Sequence, residues 1–294
     1  MKIFVKTFVT LCAFLCISDV QSQSRYITTI HPFETILMSI VGDHGHVSKL
    51  LPPGASPHTY ELRPSDMRHV ASATAFVVGG ENLDDWALNL SNPHIIELLH
   101  LIPSDSLIRI ETHGRKPHGD HHHHHAGIDP HFWTDPLLVK SMIPGIVDTL
   151  CALDPDGRAV YRENAGVFMS GLDSLHVQIT EILEPHVGSA VMLSHPFFQY
   201  FLKRYGFRLA GIVETSPGTE PSPKELRKNI SMIVNEDVRA IFTHPQLSNR
   251  PALLIAESTD VKICELDPIG GVGGRMTYEE LMIHNARKIA EILR

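Results

Sequence analysis

The chain has 294 residues, a hydrophobic fraction of 43% and a formal net charge of -8 with histidine neutral. This length suffices for two ordinary domains or one large one, and for a core that needs no disulfide bonds. The acidic balance and the lack of a run of Lys and Arg argue against a nucleic-acid-binding surface. Histidine is the outlier, because its 20 residues nearly equal the 25 Lys and Arg together.

Residues 1–22 have the order typical of a secretory signal peptide. Two lysines precede an apolar run, residues 7–17, which is too short to span a bilayer, and small polar residues follow. A buried N-terminal strand or helix is the alternative. We predict cleavage near Ser22, no later membrane-spanning segment, and a periplasmic or otherwise extracytoplasmic mature chain. A lipid anchor at Cys16 stays open, and Cys151 and Cys264 are either paired or two buried thiols.

The rest of the first half alternates between β-rich and amphipathic stretches, which predicts βα units around a mainly parallel sheet. We predict a strand over residues 35–41, a helix over residues 64–73 and a strand over residues 75–78.

The second half shows the same alternation, beginning after residue 185. Strands are predicted over residues 190–193, 208–213, 239–243 and 261–266. Helices are predicted over residues 196–205, 223–234, 251–258 and 278–293.

A single long amphipathic stretch separates the two halves. Its apolar residues, among them Val160, Leu172, Leu175 and Ile179, recur three, four and seven positions apart, which is typical of one continuous helix. We therefore predict an α/β protein with two lobes, residues 23–153 and 185–294, joined by a rigid helix over residues 154–184.

The segment at residues 113–125 has no apolar face and is predicted to be a mobile loop of the first lobe. Clustered imidazoles bind zinc, copper and nickel ions at neutral pH, although solvated filler is the alternative. Seven of its thirteen residues are histidine: His113, His118, His121, His122, His123, His124 and His125.

Four further residues stand at predicted strand-to-helix turns, where open α/β sheets bind ligands. His58 follows a Pro- and Gly-rich turn in PPGASPHTYE, and His131 lies between two Asp-Pro pairs in DPHFWTDP. His195 ends a strand in SHPFFQYF, and Asp267 ends another in LDPIGG. Each alone is a weak signal, but their common placement predicts convergence in the cleft between the lobes.

These four segments, in this order, resemble the metal-specific solute-binding proteins of ABC importers, the cluster A-I family that serves zinc and manganese uptake. Residues 77–86 (VVGGENLDDW) and 218–226 (GTEPSPKEL) resemble further segments of the family. The resemblance implies two α/β lobes, one linking helix, a cleft-bound metal and His58, His131, His195 and Asp267 as ligands. His244 in FTHPQLS departs from the family pattern, and the fourth ligand is Asp267, His244 or water.

Three imidazoles and one carboxylate suit tetrahedral Zn²⁺ better than Mn²⁺, which prefers oxygen ligands, while Fe²⁺ stays possible. Because an unperturbed imidazole titrates near pH 6.5, we expect metal affinity to fall as the pH drops through about 6.5.

We therefore expect a monomeric, non-enzymatic capture protein that delivers a metal ion to an ABC permease in the cytoplasmic membrane. A metal-dependent hydrolase with a three-His, one-Asp site is one alternative, although the sequence contains no HExxH, GxSxG or P-loop pattern. A metal-binding surface adhesin is the other alternative.

Overall fold

The computed structural model describes residues 23–109, 127–214 and 221–294. It contains two four-stranded parallel sheets, each flanked by helices, with a long helix between them. The predicted fold class is therefore confirmed. The predicted signal peptide, residues 1–22, and the histidine-rich segment, residues 113–125, lie outside the described residues.

The first sheet contains β1 (Ser24–Thr28), β2 (Gly45–Lys49), β3 (Ala75–Val78) and β4 (Ile95–Glu97), in the order β2-β1-β3-β4. Its helices are α1 (His31–Val41), α2 (Pro64–Ala71) and the short α3 (Asp85–Leu88). The predicted strand over residues 75–78 is confirmed, and the helix predicted over residues 64–73 ends two residues earlier.

The strand predicted over residues 35–41 is wrong, because these residues belong to α1. Phe33, Ile36, Leu37, Ile40 and Val41 are buried on one face, at the spacing of three and four that identifies a helix. The sequence did not reveal this helical period because the run is short and rich in leucine and β-branched residues. Burial of the apolar face stabilises the helix by more than the local propensity of these residues favours a strand. Strands β1 and β2, on either side of α1, were not predicted.

Helix α4 (Pro136–Leu153) was also not predicted, and by length and composition it is apolar enough to cross a membrane. That finding corrects the expectation that no segment after residues 1–22 is long and apolar enough to span a membrane. Half of the helix is buried in the protein, and its residues Val139, Met142, Ile143 and Leu150 belong to the main hydrophobic core. Its hydropathy is therefore accounted for by packing inside the fold.

The long helix α5 spans Arg158–Leu183 and follows a single 3-10 turn, Pro155–Gly157. Tyr161, Leu172, Leu175 and Ile179 are buried along one side and join the main core. The predicted connecting helix is thus present, starting a few residues later than expected.

The second sheet contains β5 (Ala190–Leu193), β6 (Arg208–Ile212), β7 (Ala240–Thr243) and β8 (Lys262–Glu265), in the order β6-β5-β7-β8. Its helices are α6 (Gln199–Arg204), α7 (Pro223–Asn235), α8 (Arg250–Thr259) and α9 (Tyr278–Ile292). All the strands and helices predicted here are present, with ends that differ by at most three residues. Capping boxes at Ser222 and Thr277 mark where α7 and α9 begin.

Hydrogen bonds connect the two lobes close to the cleft. The Trp133 indole donates to the carbonyl of Pro268 over 2.8 Å, and the Tyr278 hydroxyl donates to the carbonyl of Trp133 over 2.7 Å. The Tyr200 hydroxyl donates to the carbonyl of Asp129 over 2.7 Å. Since all of these side chains are buried, the contacts hold the lobes in one relative position.

Cys151 and Cys264 are both buried and unpaired with each other. Of the two alternatives for these thiols, the structure therefore shows two separate buried cysteines. Burial raises the pKa of the Cys264 thiol to about 11, so this side chain stays protonated at neutral pH.

Candidate metal centre

The second lobe brings three candidate residues to one sheet edge. His195, His244 and Asp267 follow the carboxyl ends of β5, β7 and β8, and these strands are consecutive neighbours in the sheet. Strand ends that meet at one edge of a parallel sheet form the usual ligand crevice.

The first lobe supplies the opposite wall from two turns. His58 lies in the single 3-10 turn Pro57–Thr59, between β2 and α2. His131 directly precedes the turn Phe132–Thr134, which leads into α4. Both turns contain a proline or follow one, so the backbone there is stiff and the ring positions are well defined.

Three of the predicted ligands meet. The candidate ligand atoms of His58, His131 and His195 all lie within 4.8 Å of one another. Their ring centres are 5.2 Å (His58–His131), 5.3 Å (His58–His195) and 5.5 Å (His131–His195) apart. Nitrogen ligands about 2.0–2.1 Å from a tetrahedral zinc ion place their ring centres about 5 Å apart, so the three rings match three corners of such a site.

His131 is oriented by a buried carboxylate. Its Nδ1 donates to Asp129 Oδ1 over 2.7 Å, and its backbone N–H donates to the same oxygen over 3.0 Å. Asp129 is fully buried, and its other oxygen accepts from the Gln199 amide over 2.8 Å. The carboxylate therefore holds the proton on Nδ1 and leaves the Nε2 lone pair directed into the cleft.

His58 is oriented by a backbone carbonyl in the same way. Its Nδ1 donates to the carbonyl of Asn82 over 3.0 Å. Asn82 has a φ of 66°, a left-handed conformation that asparagine tolerates better than most residues. Its N–H is held by Asp85 Oδ1 over 3.0 Å, so the carbonyl that orients His58 belongs to a fixed turn.

His195 and His244 are buried beside this pair, with ring centres 5.7 Å apart. Among the described residues, both ring nitrogens of His195 and the Nε2 atom of His244 lack a hydrogen-bond partner. Buried polar atoms normally have partners, and leaving one without costs about 1–3 kcal/mol. A site that leaves such nitrogens facing a cleft is suited to a ligand that accepts their lone pairs.

The buried imidazoles resist protonation. Burial, with a further contribution from His131, lowers the pKa of His58 to about 3. Burial and the surrounding imidazoles also lower the pKa of His195, and burial lowers the pKa of His244 to about 4. At neutral pH all three rings are uncharged, which is the form that binds metal ions.

Asp267, the predicted fourth ligand, lies next to this group but outside it. Its Oδ1 accepts from the N–H groups of Ile269 and Gly270, each over 3.0 Å, and from the Gln246 amide over 3.4 Å. Its Oδ2 forms an ion pair with Arg275 Nε over 3.2 Å. Both carboxylate oxygens thus have partners within the second lobe.

The sequence motifs single out the candidate ligands but indicate no role for the residues that orient them. Asp129 stands two residues before His131 in DPHFWTDP, and that short spacing is a usable signal for a carboxylate–histidine pair. Asn82 acts through its backbone carbonyl and Gln246 through a contact with another turn, so neither has a local pattern that identifies its role.

The model of the family described as "Zinc-uptake complex component A periplasmic" matches residues 27–292. The chain belongs to this family. Its members are metal-binding solute-binding proteins of ABC importers and not enzymes, so the hydrolase alternative is excluded.

Individual members of the zinc-uptake component A family agree with this assignment. The chain is 27% identical to the manganese-binding lipoprotein MntA of Halalkalibacterium halodurans, over 89% of this chain and 85% of that protein. It is 26% identical to the zinc-binding lipoprotein AdcA of Streptococcus pneumoniae, over 88% of this chain and 54% of that protein. A crystal structure of ZnuA superposes with a TM-score of 0.79 at 27% identity, covering 92% of this chain and 99% of that one.

Proposed function

We propose that this protein captures Zn²⁺ outside the cytoplasm and delivers it to an ABC permease in the cytoplasmic membrane. His58, His131 and His195 bind the ion in the cleft between the lobes, and a fourth ligand completes the shell. The observation that carries this proposal is the convergence of three imidazoles whose ligand atoms lie within 4.8 Å of one another. They come from residues far apart in the chain, as a site assembled from both lobes requires.

Zinc is favoured over manganese by the chemistry of the cluster. Three neutral imidazoles give a nitrogen-rich shell that suits Zn²⁺, whereas Mn²⁺ prefers a higher number of oxygen ligands. Relatives bearing zinc and manganese names both match this chain, so the donor set of this chain supplies the argument for zinc.

The test is elemental analysis of protein purified without a histidine tag, combined with zinc titration. His58→Ala, His131→Ala and His195→Ala should each abolish tight binding of one zinc ion. His100→Ala is the matched control, because His100 is an exposed histidine of the same chain and its removal should change nothing. Tight zinc binding that survives all three cluster substitutions would contradict the proposal.

The histidine-rich segment, residues 113–125, has a separate role in this proposal. It gathers ions weakly and raises their local concentration, while the cleft holds one ion for delivery. Deleting residues 113–125 should lower the number of weakly bound ions and leave the tight site intact. Loss of the tight site with the segment would contradict this division of roles.

Export depends on residues 1–22 as a cleavable signal peptide, and the expected partner is a permease with its ATPase. N-terminal sequencing of the protein from the extracytoplasmic fraction tests the first point, with a new N-terminus near residue 23 expected. Neighbouring genes for a permease and an ATPase would distinguish the importer subunit from the adhesin alternative.

A further inference from the structure

We propose that His244 is the fourth metal ligand and that Asp267 acts indirectly, as a positioning residue. This inference rests on the proposed metal-binding function and deepens it. The single observation behind it is the buried Nε2 atom of His244, which has no partner among the described residues although only 5% of the residue is exposed.

The tautomer of His244 follows from its neighbours. Asp267 accepts a hydrogen bond from Gln246, so the Gln246 amide nitrogen faces Asp267 and its carbonyl oxygen faces His244. That oxygen can only accept, and it lies 3.0 Å from His244 Nδ1, which therefore carries the hydrogen. The Nε2 atom of His244 consequently presents a lone pair.

The same arrangement recurs in His58 and His131. In each of these rings, as in His244, Nδ1 donates to a fixed acceptor and Nε2 is left to bind. Such oriented imidazoles are the usual form of metal-ligating histidine. A histidine that is buried only for packing normally has hydrogen-bond partners for its ring nitrogens.

The position of His244 also fits. It lines a small cleft together with His58, His131, His195, Gln246 and Trp133. Its ring centre is 5.7 Å from that of His195, close to the spacing of about 5 Å between imidazoles around tetrahedral zinc. Like Asp267, His244 lies outside the group of three whose ligand atoms are within 4.8 Å of one another, so its side chain has to shift toward them to reach the ion.

Asp267 is less suited to direct ligation in this arrangement. Its Oδ1 accepts from two backbone N–H groups and from Gln246, and its Oδ2 pairs with Arg275. A shift that carried Oδ1 to the ion would leave the buried N–H groups of Ile269 and Gly270 without an acceptor, at about 1–3 kcal/mol for each, and ligation through Oδ2 would give up the ion pair with Arg275. Its contact with Gln246 instead fixes the orientation of His244, so that Asp267 affects the metal through two intervening contacts.

An all-imidazole shell has a consequence for selectivity. Four nitrogen ligands disfavour Mn²⁺ more strongly than three nitrogens and a carboxylate do. His244 is therefore a specificity-determining residue, and replacing it by a carboxylate should move the preference toward manganese.

X-ray absorption spectroscopy of the full chain, loaded with one zinc ion per molecule, tests this assignment directly. We expect outer-shell scattering from four imidazoles in the wild type and in Asp267→Asn, and from three imidazoles plus a light ligand in His244→Ala. Zinc affinity should fall at least about tenfold in His244→Ala. In His244→Glu the ratio of zinc to manganese affinity should fall.

Three imidazoles and one oxygen in the wild type, with the oxygen lost in Asp267→Ala, would overturn the inference. The wild-type spectrum decides the matter even if a variant fails to fold. If the His58, His131 and His195 variants lose zinc while His244→Ala binds as the wild type does, this inference fails and the proposed function stands. If zinc binding is unchanged by substitution of each of the four histidines, the proposed function itself fails.

Discussion

The Nε2 atoms of His58 and His131 lie 3.1 Å apart, although each ring already donates its Nδ1 hydrogen to another acceptor. In neutral rings of this tautomer both Nε2 atoms carry lone pairs. Two lone pairs this close repel each other unless a cation or a proton lies between them. The 3.1 Å separation of the two Nε2 atoms therefore suits a cation shared by both rings, which links the geometry of the cleft to metal binding.

Replacing Asp129 should weaken metal binding without changing the ligands. Asp129→Asn removes the negative charge that fixes the His131 tautomer, and loss of such an orienting carboxylate typically costs about 10- to 100-fold in affinity. Competitive zinc titration measures the effect. Asp173→Asn is the control, because that carboxylate is exposed and pairs with Lys140 on the surface. Equal affinities for the two variants would contradict the role of Asp129.

The pH dependence of metal affinity should differ from the titration of free imidazole. Because the folded-state pKa of His58 is about 3, protons do not compete with the metal at this ring near pH 6.5. Affinity should therefore stay nearly level from about pH 8 to about pH 5 and fall only in more acidic solution. This prediction differs from the fall in affinity through about pH 6.5 that is expected for an unperturbed imidazole. Isothermal titration calorimetry across this range measures it, and a tenfold loss between about pH 7 and about pH 6 would contradict it.

The stability of the metal-free protein should depend on pH with the opposite sign to the dependence that a salt-bridged histidine produces. The lowered pKa of His58 and His195 in the folded state means that the unfolded chain binds more protons below about pH 6.5. The free energy of unfolding should consequently decrease as the pH falls from about 6.5 toward the folded-state values. Urea unfolding of the apo protein at several pH values measures this slope. His58→Asn should reduce the slope, whereas substitution of the exposed His100 by Asn should leave it unchanged.

Asp84 should be the most sensitive carboxylate for folding of the first lobe. It is fully buried and accepts from the Thr29 hydroxyl over 2.6 Å and from the N–H groups of Gly79 and Gly80, each over 2.9 Å. Asp84→Ala leaves three buried donors without an acceptor, and we expect a loss of about 2–4 kcal/mol in unfolding free energy.

The neighbouring residue provides a matched control for Asp84. Asp85 accepts one exposed hydrogen bond from the Asn82 N–H, so Asp85→Ala should cost less than about 1 kcal/mol. Chemical denaturation of both variants gives the comparison. A loss of stability for Asp84→Ala no greater than for Asp85→Ala would show that the buried hydrogen bonds contribute little.

Much of the second lobe could be predicted from sequence because its strands are short, β-branched and bounded by clear turns. The strand before His195 and the strand before His244 have this form, and both are confirmed within one residue. The first lobe was harder, since the apolar run in α1 reads equally as a strand or as a buried helix. Tertiary packing resolves that ambiguity, and packing is absent from a local pattern.

The candidate site shows a similar division. Motif placement predicted that His58, His131 and His195 meet, because strand-to-helix turns of open α/β sheets form the crevice where ligands bind. The same reasoning placed Asp267 there but could not show that its oxygens accept from Ile269 and Gly270, since the LDPIGG turn closes on its own aspartate. Hydrogen bonds inside a turn depend on its three-dimensional path, and a single sequence does not reveal them.

A crystal structure of the zinc-loaded, untagged protein, with anomalous scattering measured at the zinc edge, would show whether the three rings bind the ion. We expect one strong anomalous peak in the cleft, about 2.0–2.1 Å from a ring nitrogen of each of His58, His131 and His195. A cleft without a peak while the protein binds zinc tightly elsewhere would contradict it.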